Sequence, residues 1–441
     1  MPSEFPLPSN SQPEDGLPVV EPPSGKFIAQ LFLVPLLIVA VLVCFYVFVK
    51  WWVDSAWTPA DYLARLDNPN PDIRWRGAQD LAQVLLRDEQ LASDPRFALD
   101  LAERLRQALN RSAEAEKSAG AASHQPSAVE LDQIRTTLRP EREYILYLTA
   151  SLGSLAIPVG VLLLEEMILD KKGNDPLAIF QRRQHALWAL ANLGKNLQRS
   201  ESLPQARREA VRTELEVEAA APSERGQWAR QALAYLDGPQ AHSLKALGLE
   251  PLFIQCANDP NPFLREITAL ALNFWVGLPD ENARMDDLLV TLTRDDGRGE
   301  DILAGVRAEE NRLTGNRQDQ QHADVPVGKF PGLTVRYNAA VALARRGSEK
   351  VRLGLLREML DESILREKFR ISASDGKDLP DEGLVQKTLE AGMQALIELH
   401  AKRPDLELGE FSTPLQELAG NSSMAVRNEA MRTLNALKKA Q

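Results

Sequence analysis

The chain has 441 residues and a formal net charge of −11 at neutral pH. Such a length suits roughly two or three ordinary domains, or one repeat array that needs no single large core. The negative charge argues against a nucleic-acid groove, because phosphate binding depends on clustered Lys and Arg. The only two cysteines, Cys44 and Cys256, exclude a disulfide framework.

Residues 1–25 form a proline-rich, acidic tail with seven prolines and four acidic side chains. A segment of this composition cannot bury enough apolar surface to offset its ordering entropy, so we predict disorder. Proline-rich segments can also bind SH3-type domains, but no clear basic residue flanks a P-x-x-P here. A disordered spacer is therefore the better interpretation.

An uncharged stretch of 23 residues runs from 27 to 49, between Lys26 and Lys50. It exceeds the roughly 20 residues that a helix needs to cross a hydrocarbon core of about 30 Å. Trp51 and Trp52 then suit the membrane interface. A cleaved signal peptide is the main alternative, but the Lys-Trp-Trp sequence does not resemble a cleavage site. We predict a single transmembrane helix over 27–49.

Basic side chains near the two ends of this stretch predict its orientation. The preceding tail offers Lys26 and the chain amine against four acids, whereas the following flank carries Lys50, Arg65, Arg74 and Arg76. An excess of Lys and Arg favours the cytoplasmic side. We predict a single-pass membrane protein whose region after the anchor lies in the cytoplasm.

A neck at 50–60 is predicted to lead into a helical region over 61–441. Three interruptions are predicted as loop insertions, near 112–127, 295–332 and 372–383, because they are rich in Gly, Ser, Asp or Pro. In the first half, apolar spacing predicts helices near 72–87, 95–111, 128–138, 141–154, 159–170 and 176–197. Strand-favouring residues rarely alternate, so the region is predicted to be all-α.

The segment from Leu333 to Gly347 is a pattern to which other parts of the chain can be compared. As a helix it places Val335, Ala339 and Leu343 on one small-residue apolar face, and its final glycine suits a left-handed helix end. A second amphipathic run follows, so the unit is a helical hairpin. One hairpin cannot bury its own apolar face, so stacked copies are predicted.

The core of the unit reads apolar-Arg-x-x-small-apolar-x-x-Leu, and it recurs along the chain. Two degenerate copies, starting at Trp228 and at Ala391, keep the apolar spacing but lack the arginine. No full motif can be written between about 111 and 174. The recurring arginine is found at Arg74, Arg183, Arg265, Arg336 and Arg427, with Arg182 in the apolar slot of the second copy.

With its turn-plus-helix openings at 68–74 and 258–265 and the helix at 335–347, the chain resembles the HEAT-repeat family over roughly 60–440. An armadillo-type array would look similar. The resemblance implies a right-handed α-solenoid of helical hairpins, in which the repeat arginines and the turn aspartate are structural. A guanidinium near the preceding turn can bond free carbonyls and a carboxylate, which holds neighbouring hairpins in register.

No motif of catalytic, cofactor or metal chemistry stands out. The five histidines are scattered, and no phosphate loop, nucleophile elbow or C-x-x-C is present. The acid pairs Glu165-Glu166 and Asp286-Asp287 are adjacent residues, which point apart on a helix. We therefore expect no enzyme activity, no cofactor and no metal site.

Two functions fit these features. The favoured one is a membrane-anchored helical-repeat scaffold that binds protein partners, and not nucleic acid, over an extended surface. The insertion at 295–332 is a candidate part of that surface, because insertions in repeat proteins often lie on the binding face. The alternative is an enzyme or a regulatory ligand-binding module whose site is assembled across the repeats.

Overall fold

A computed structural model describes residues 25–53, 58–119, 128–173, 175–200, 203–237, 241–299, 331–372 and 378–438. The chain divides into two units, Met1–Thr58 and Pro59–Gln441, and each is described by itself. Most of the predicted tail at 1–25 and most of the predicted insertion at 295–332 lie outside the described residues. Elements are numbered below in the order in which the described residues present them.

The first unit contains one helix, α1, which spans Gly25–Val53. Its side chains are described at 33, 34 and 36–48, and its large apolar ones are all more than half exposed, from Leu33 at 59% to Phe48 at 59%. Consecutive residues of a helix point in all directions around the axis. The described part of α1 is therefore apolar and uncovered on every side.

The prediction of a transmembrane helix over 27–49 finds no support in the described residues. Among them, no helix combines the length and the apolar character that crossing a membrane requires. The helix also continues to Val53, into the stretch predicted as a neck, and the next helix already begins at Pro59.

In the residues that the structure describes, the second unit consists of helices and one small hairpin of strands. In its first part, α2 spans Pro59–Leu66, α3 Pro71–Leu85, α4 Glu89–Ala92, α5 Pro95–Ala119, α6 Ala128–Gly153, α7 Val161–Leu169, α8 Pro176–Ser200, α9 Gln205–Ala219, α10 Glu224–Leu236, α11 Leu249–Ala257, α12 Pro262–Phe274 and α13 Pro279–Leu292. In its last part, α14 spans Pro331–Arg346, α15 Leu353–Glu358, α16 Glu362–Lys368, β1 Arg370–Ser372, β2 Asp378–Pro380, α17 Glu382–Lys402, α18 Ser412–Leu418 and α19 Met424–Lys438.

Seven helices of this unit pack one after another and form what we call the central row. Each contacts the next in the order α3, α6, α8, α12, α14, α17 and α19. The other helices cover this row: α5 packs on α6, α7 on α8, α11 on α12, α13 on α14 and α18 on α19. The second unit is therefore a helical-repeat array, and the handedness expected from the resemblance stays a prediction.

Two central-row helices begin with the same local signal. Asn70 accepts a hydrogen bond from the backbone N–H of Asp72, and Pro71 occupies the first helical turn of α3. Asn261 and Pro262 repeat this arrangement at α12. An asparagine cap satisfies a free N–H, and a proline in the first turn has none to satisfy. These two starts place the arginines that follow at equivalent positions.

The core has two parts that meet in α14. One face of α14, with Val335, Ala339 and Leu343, packs into the core of the preceding helices, which reaches back to Leu66. Its other face, with Tyr337, packs into the core of the following helices. Because α14 is buried on both sides, it joins the two halves of the array.

Small residues allow the closest helix contacts. A Cβ atom on Gly194 of α8 would come within 2.6 Å of the indole of Trp275, which is itself buried and donates to the carbonyl of Leu190 at 2.9 Å. A Cβ on Gly153 of α6 would similarly meet the backbone of Ala189. Close packing of this kind leaves no room for even one added methyl group.

Two predicted features of the first half differ in the structure. Residues 112–119, predicted as part of a linker, continue α5, because the Ala, Glu and Lys found there favour helix. The predicted helices at 128–138 and 141–154 are one helix, α6, with Pro140 inside it. Proline removes one backbone donor, but packing of α6 against α3, α5 and α8 keeps the helix continuous.

Two further predictions concern the repeat copies and the loop at 372–383. The helix of the copy at Ala391, α17, lies in the central row, whereas α10, with Trp228, packs mainly on α5 and α9.

Around the predicted loop, β1 and β2 pair antiparallel with Ile371 opposite Leu379, and α17 starts at Glu382. The segment is therefore a short hairpin at its two ends, and its tip lies outside the described residues.

Candidate functional site

Two repeat arginines in the middle of the array are buried and bind the adjoining turns. Arg183 donates to the carbonyl of Ile168 at 2.7 Å and to the carboxylate of Asp259, in the turn before α12. Arg265 donates to the carbonyl of Asp259 at 2.8 Å and forms a two-point contact with Asp295, in the turn after α13. Each guanidinium thus links its own repeat to the next turn.

The other three repeat arginines are held less tightly. Arg74 forms an ion pair with Glu141 of α6 at 2.8 Å, and Arg336 donates to the carbonyl of Thr293 at 3.2 Å. Among the residues that the structure describes, the Arg427 guanidinium has no hydrogen-bond or ion-pair partner. The five repeat arginines therefore differ in how many hydrogen bonds and ion pairs they form. Their structural role stays a prediction that mutation must test.

One buried arginine that the repeat pattern does not mark also joins helices. Arg346, at the end of α14, donates to the carbonyls of Leu272 and Trp275, to the side chain of Asn282 and to Asp286. It therefore binds the free carbonyls at the end of α12. The sequence gives only a weak signal for it, a basic residue in the last helical turn.

Four consecutive helices of the central row carry an apolar side chain at the same repeat position, five residues after the arginine slot. These residues are Trp188 on α8, Leu270 on α12, Val341 on α14 and Ile397 on α17. Trp188 is 41% exposed, Val341 is buried, and the other two are half-buried. We call these four residues the apolar line.

Polar side chains flank the apolar line on the same helices. On α8, Gln181, Asn192 and Lys195 are exposed and share one helical face with Trp188, because they lie seven, four and seven residues from it. On α14, Arg345 is partly exposed and donates to Gln394 of α17 at 3.3 Å. The result is a surface with an apolar centre and a polar border, a composition common at protein interfaces.

A separate cavity of about 350 Å³ lies among α5, α6, α7 and α8. Its volume falls at the small end of the roughly 300–1,000 Å³ range of ligand pockets. Part of its wall is apolar, and most of the rest is charged. The lining residues are Ser112, Glu116, Arg135, Thr136, Arg139, Arg142, Glu143, Ile145, Leu146, Thr149, Met167, Asp175, Leu177, Ala178, Gln181, Arg182 and His185.

A buried carboxylate organises the charges of this cavity. Asp175 accepts from Arg135 at 2.9 Å and from Arg142 at 2.9 Å, and Arg142 also pairs with Glu116 at 3.2 Å. Burial alone would raise the pKa of Asp175, but the hydrogen bonds and charges of the two arginines outweigh it and hold the pKa below its usual value. The carboxylate therefore stays ionised and fixes both arginines.

Several groups of the cavity wall are not paired in this way. Among the described residues, neither the exposed Arg139 nor the half-buried Glu143 has an ion-pair partner. The Nε atoms of Arg142 and Arg182 are buried and find no acceptor among the described atoms. Burial lowers the pKa of His185, so its imidazole is neutral at pH 7. The wall thus retains free hydrogen-bond donors.

The sequence reasoning missed this cavity because no repeat motif could be written there. One signal was available: Arg135, Arg139 and Arg142 are spaced four and three residues apart and must share one face of a helix. An arginine face next to a predicted apolar helix indicates a polar contact or a site. The other half of the wall, on α8, comes from tertiary packing and has no local signal.

No acid pair forms a catalytic dyad in the described residues. Glu166 pairs with Arg106 and Asp286 with Arg346, while Asp287 pairs with Lys350. The adjacent acids thus serve different partners, as their spacing on a helix predicts. In the described part of the chain, no cluster of three His, Cys, Asp or Glu residues has the arrangement to hold a metal.

Comparison with known proteins returned no match to any protein-family model or to any curated protein. Among solved structures, the chain is similar to a designed armadillo repeat protein, with 13% identity over 86% of this chain and 99% of that one and a TM-score of 0.26. A structure concerning a phosphorylation switch that controls the interaction between cadherin and beta-catenin gives 16% identity, 87% and 76% coverage and a TM-score of 0.23. An engineered protein has 14% sequence identity over 86% of this chain and 98% of that one, with a TM-score of 0.19. At these scores the likenesses carry no argument, and the fold assignment rests on the packing described above.

Replacing Arg265 by Ala should lower the free energy of unfolding by about 3–5 kcal/mol, because Asp295 is left buried without its partner. The matched variant Arg427→Ala should cost about 0.5 kcal/mol or less. Denaturant unfolding of the full chain, followed by far-ultraviolet circular dichroism, measures both. Equal effects of the two substitutions would contradict the structural role of the buried contact.

Proposed function

We propose that the protein is a helical-repeat scaffold that binds an extended segment of a protein partner along its central row. The observation that carries this proposal is the apolar line, which places an apolar side chain at the same position on four consecutive helices and leaves three of them, Trp188, Leu270 and Ile397, at least partly exposed. Trp188 is the central feature of the line, because tryptophan is a frequent energetic hot spot of interfaces. A large, exposed aromatic ring with a polar border is typical of a protein interaction site, because covering the ring removes apolar surface from water.

The spacing of the row supports an extended partner. Packed helices lie roughly 8–10 Å apart, and an extended chain in the polyproline II conformation advances about 3.1 Å per residue and returns to the same side every third residue. Every third residue of an extended segment would therefore meet the next helix of the row. We expect partner segments with apolar residues three apart, and polar groups between them that contact side chains such as Asn192 and Arg345.

We further propose that α1 attaches this scaffold to a membrane. The supporting observations are the 23 uncharged residues at 27–49 and the exposed apolar side chains around α1. The finding against it is that no helix of the described residues qualifies as a membrane span. Attachment would raise the effective concentration of the scaffold toward other membrane proteins. The cytoplasmic orientation remains part of this proposal.

The alternative function, an enzyme or a ligand-binding module, has one observation in its favour: the cavity lined by Arg139 and His185. We propose that it is not an active site. Its ionised carboxylate, Asp175, is held by two arginines, and its histidine has no described acid or nucleophile as a partner. A binding role for the cavity is developed below.

The membrane proposal predicts that full-length protein stays in the membrane pellet after washing with alkaline carbonate, because a lipid-inserted helix resists charge disruption. A truncated chain that begins at Thr58 should be found in the supernatant. Immunoblotting of both fractions measures the difference. If the two proteins washed off equally, the attachment by α1 would be wrong.

The scaffold proposal predicts that Trp188→Ala weakens partner binding by about tenfold or more, as expected for an interface hot spot. The partner is first captured from detergent-solubilised membranes with the full chain, and its affinity for purified variants is then measured by biolayer interferometry. Val217→Ala is the matched control, since Val217 is 66% exposed on α9, outside the central row.

Two further results decide the scaffold proposal. A peptide scan of the captured partner should give a binding segment with apolar residues three apart, and substituting those residues should weaken binding as Trp188→Ala does. Binding that Val217→Ala reduces and Trp188→Ala leaves unchanged would place the interface elsewhere and reject the proposal.

A further inference from the structure

We propose that the cavity among α5, α6, α7 and α8 binds a small organic anion, a carboxylate or phosphomonoester on an apolar body of about the size of a benzene ring. The inference does not rest on the scaffold function, because the cavity is lined by none of the four residues of the apolar line and shares only Gln181 with its polar border. It rests on three features of the wall: free donors, an arginine without a described carboxylate partner, and an apolar floor.

The free donors are the first feature. Arg139 is exposed at the rim without a partner among the described residues, and the Nε atoms of Arg142 and Arg182 are buried without an acceptor. A buried donor that lacks an acceptor costs free energy unless a water or a ligand satisfies it. An acceptor-rich group, such as a carboxylate or a phosphate, would satisfy these donors.

The charge balance is the second feature. Four arginines and three carboxylates line the cavity, and Asp170, outside the lining, pairs with Arg182 at 3.0 Å, so Arg139 is the one arginine of the wall without a described carboxylate partner. Asp175 is already saturated by Arg135 and Arg142, and its carboxylate does not compete for the free donors. Glu143 is the one carboxylate of the wall that lacks a described partner, so it opposes the bound anion and sets a limit on affinity.

The apolar floor is the third feature. Ile145, Leu146, Met167 and Leu177 contribute to the lining, and the exposed area of the wall is more apolar than polar. Water alone fills polar voids well but gains little at an apolar floor. A ligand with an anionic head toward Arg139 and an apolar body on the floor satisfies both parts of the wall. Inorganic phosphate satisfies only one of them.

The experiment uses isothermal titration calorimetry on the full chain in phosphatidylcholine nanodiscs, with benzoate and phenyl phosphate as probes. Benzamide is the uncharged control for benzoate, and inorganic phosphate is the anionic group without an apolar body. Benzoate and phenyl phosphate should bind saturably, and benzamide and inorganic phosphate should bind about tenfold more weakly or worse, since each lacks one of the two contacts. Equal affinities for benzoate and benzamide, or no saturable binding of any probe, would overturn the proposal.

Opposite charge variants separate binding from folding. Arg139→Gln should weaken benzoate binding by about tenfold, whereas Glu143→Gln should strengthen it, because it removes the opposing charge. Arg87→Gln, an exposed arginine outside the cavity, is the matched control and should change nothing. A purely structural role would not give effects of opposite sign, so two variants that change affinity in the same direction would reject the site.

If Arg139→Gln lowers the melting temperature, Gln181→Glu takes its place, since it adds a carboxylate at an exposed rim position and should also weaken binding. Nanodiscs that contain phosphatidylserine then identify the source of the anion. Unchanged benzoate affinity in these discs supports a soluble ligand, and competition by the discs supports a lipid head with the same anionic chemistry. Gln181→Glu without any effect on affinity would contradict the position of the anionic head.

Discussion

Every inner helix of the central row must be buried on two flanks, and much of the second unit follows from this constraint. A single amphipathic hairpin leaves its apolar face open to water, so it is stable only between neighbours. Helix α14 shows this most clearly: Val335 packs into the core on one side and Tyr337 into the core on the other. The small residues Gly153 and Gly194 bring neighbouring helices close, and the covering helices complete the burial.

Buried arginines convert this stacking into a fixed register. Apolar packing alone is non-directional, whereas Arg183 and Arg265 each bind a carboxylate in an adjoining turn with defined geometry. A fixed register is what aligns Trp188, Leu270, Val341 and Ile397 at equivalent positions. The proposed binding surface therefore depends on ion pairs that lie five residues before the apolar line on α8 and α12.

The sequence predicts the parts of this structure that depend on local signals, such as helix starts and apolar periodicity. The structure confirms three such local signals. Helices α3 and α12 begin at the predicted Asn-Pro pairs, Asn70-Pro71 and Asn261-Pro262, and the repeat segment at 335–347 lies largely in helix α14. Ranges where helix propensity and turn signals disagree are predicted less well: residues 112–119 are helical, Pro140 does not end its helix, and two short strands pair at the ends of a segment predicted as a loop. The arginine face of the cavity among α5, α6, α7 and α8 has a local signal, but the complete wall does not, because Arg139 and Gln181 line one cavity only through the packing of α6 on α8. The repeat copy at Trp228 has the apolar spacing of the motif, but its helix, α10, packs mainly on α9 and α5 and not in the central row. Apolar spacing alone therefore does not determine which helices α10 contacts.

The central claim is that the described helices between Pro59 and Lys438 form one stack in which each inner central-row helix is stabilised by its two neighbours. Hydrogen–deuterium exchange of the full chain, read by mass spectrometry, tests this claim most directly. In a nearest-neighbour array the amides of α12 and α14, with neighbours on both sides, should exchange slowest, and those of α3 and α19 at the two ends should exchange faster. Exchange in α14 as fast as in α19 would contradict the account, because α14 would then not join the two halves of the array.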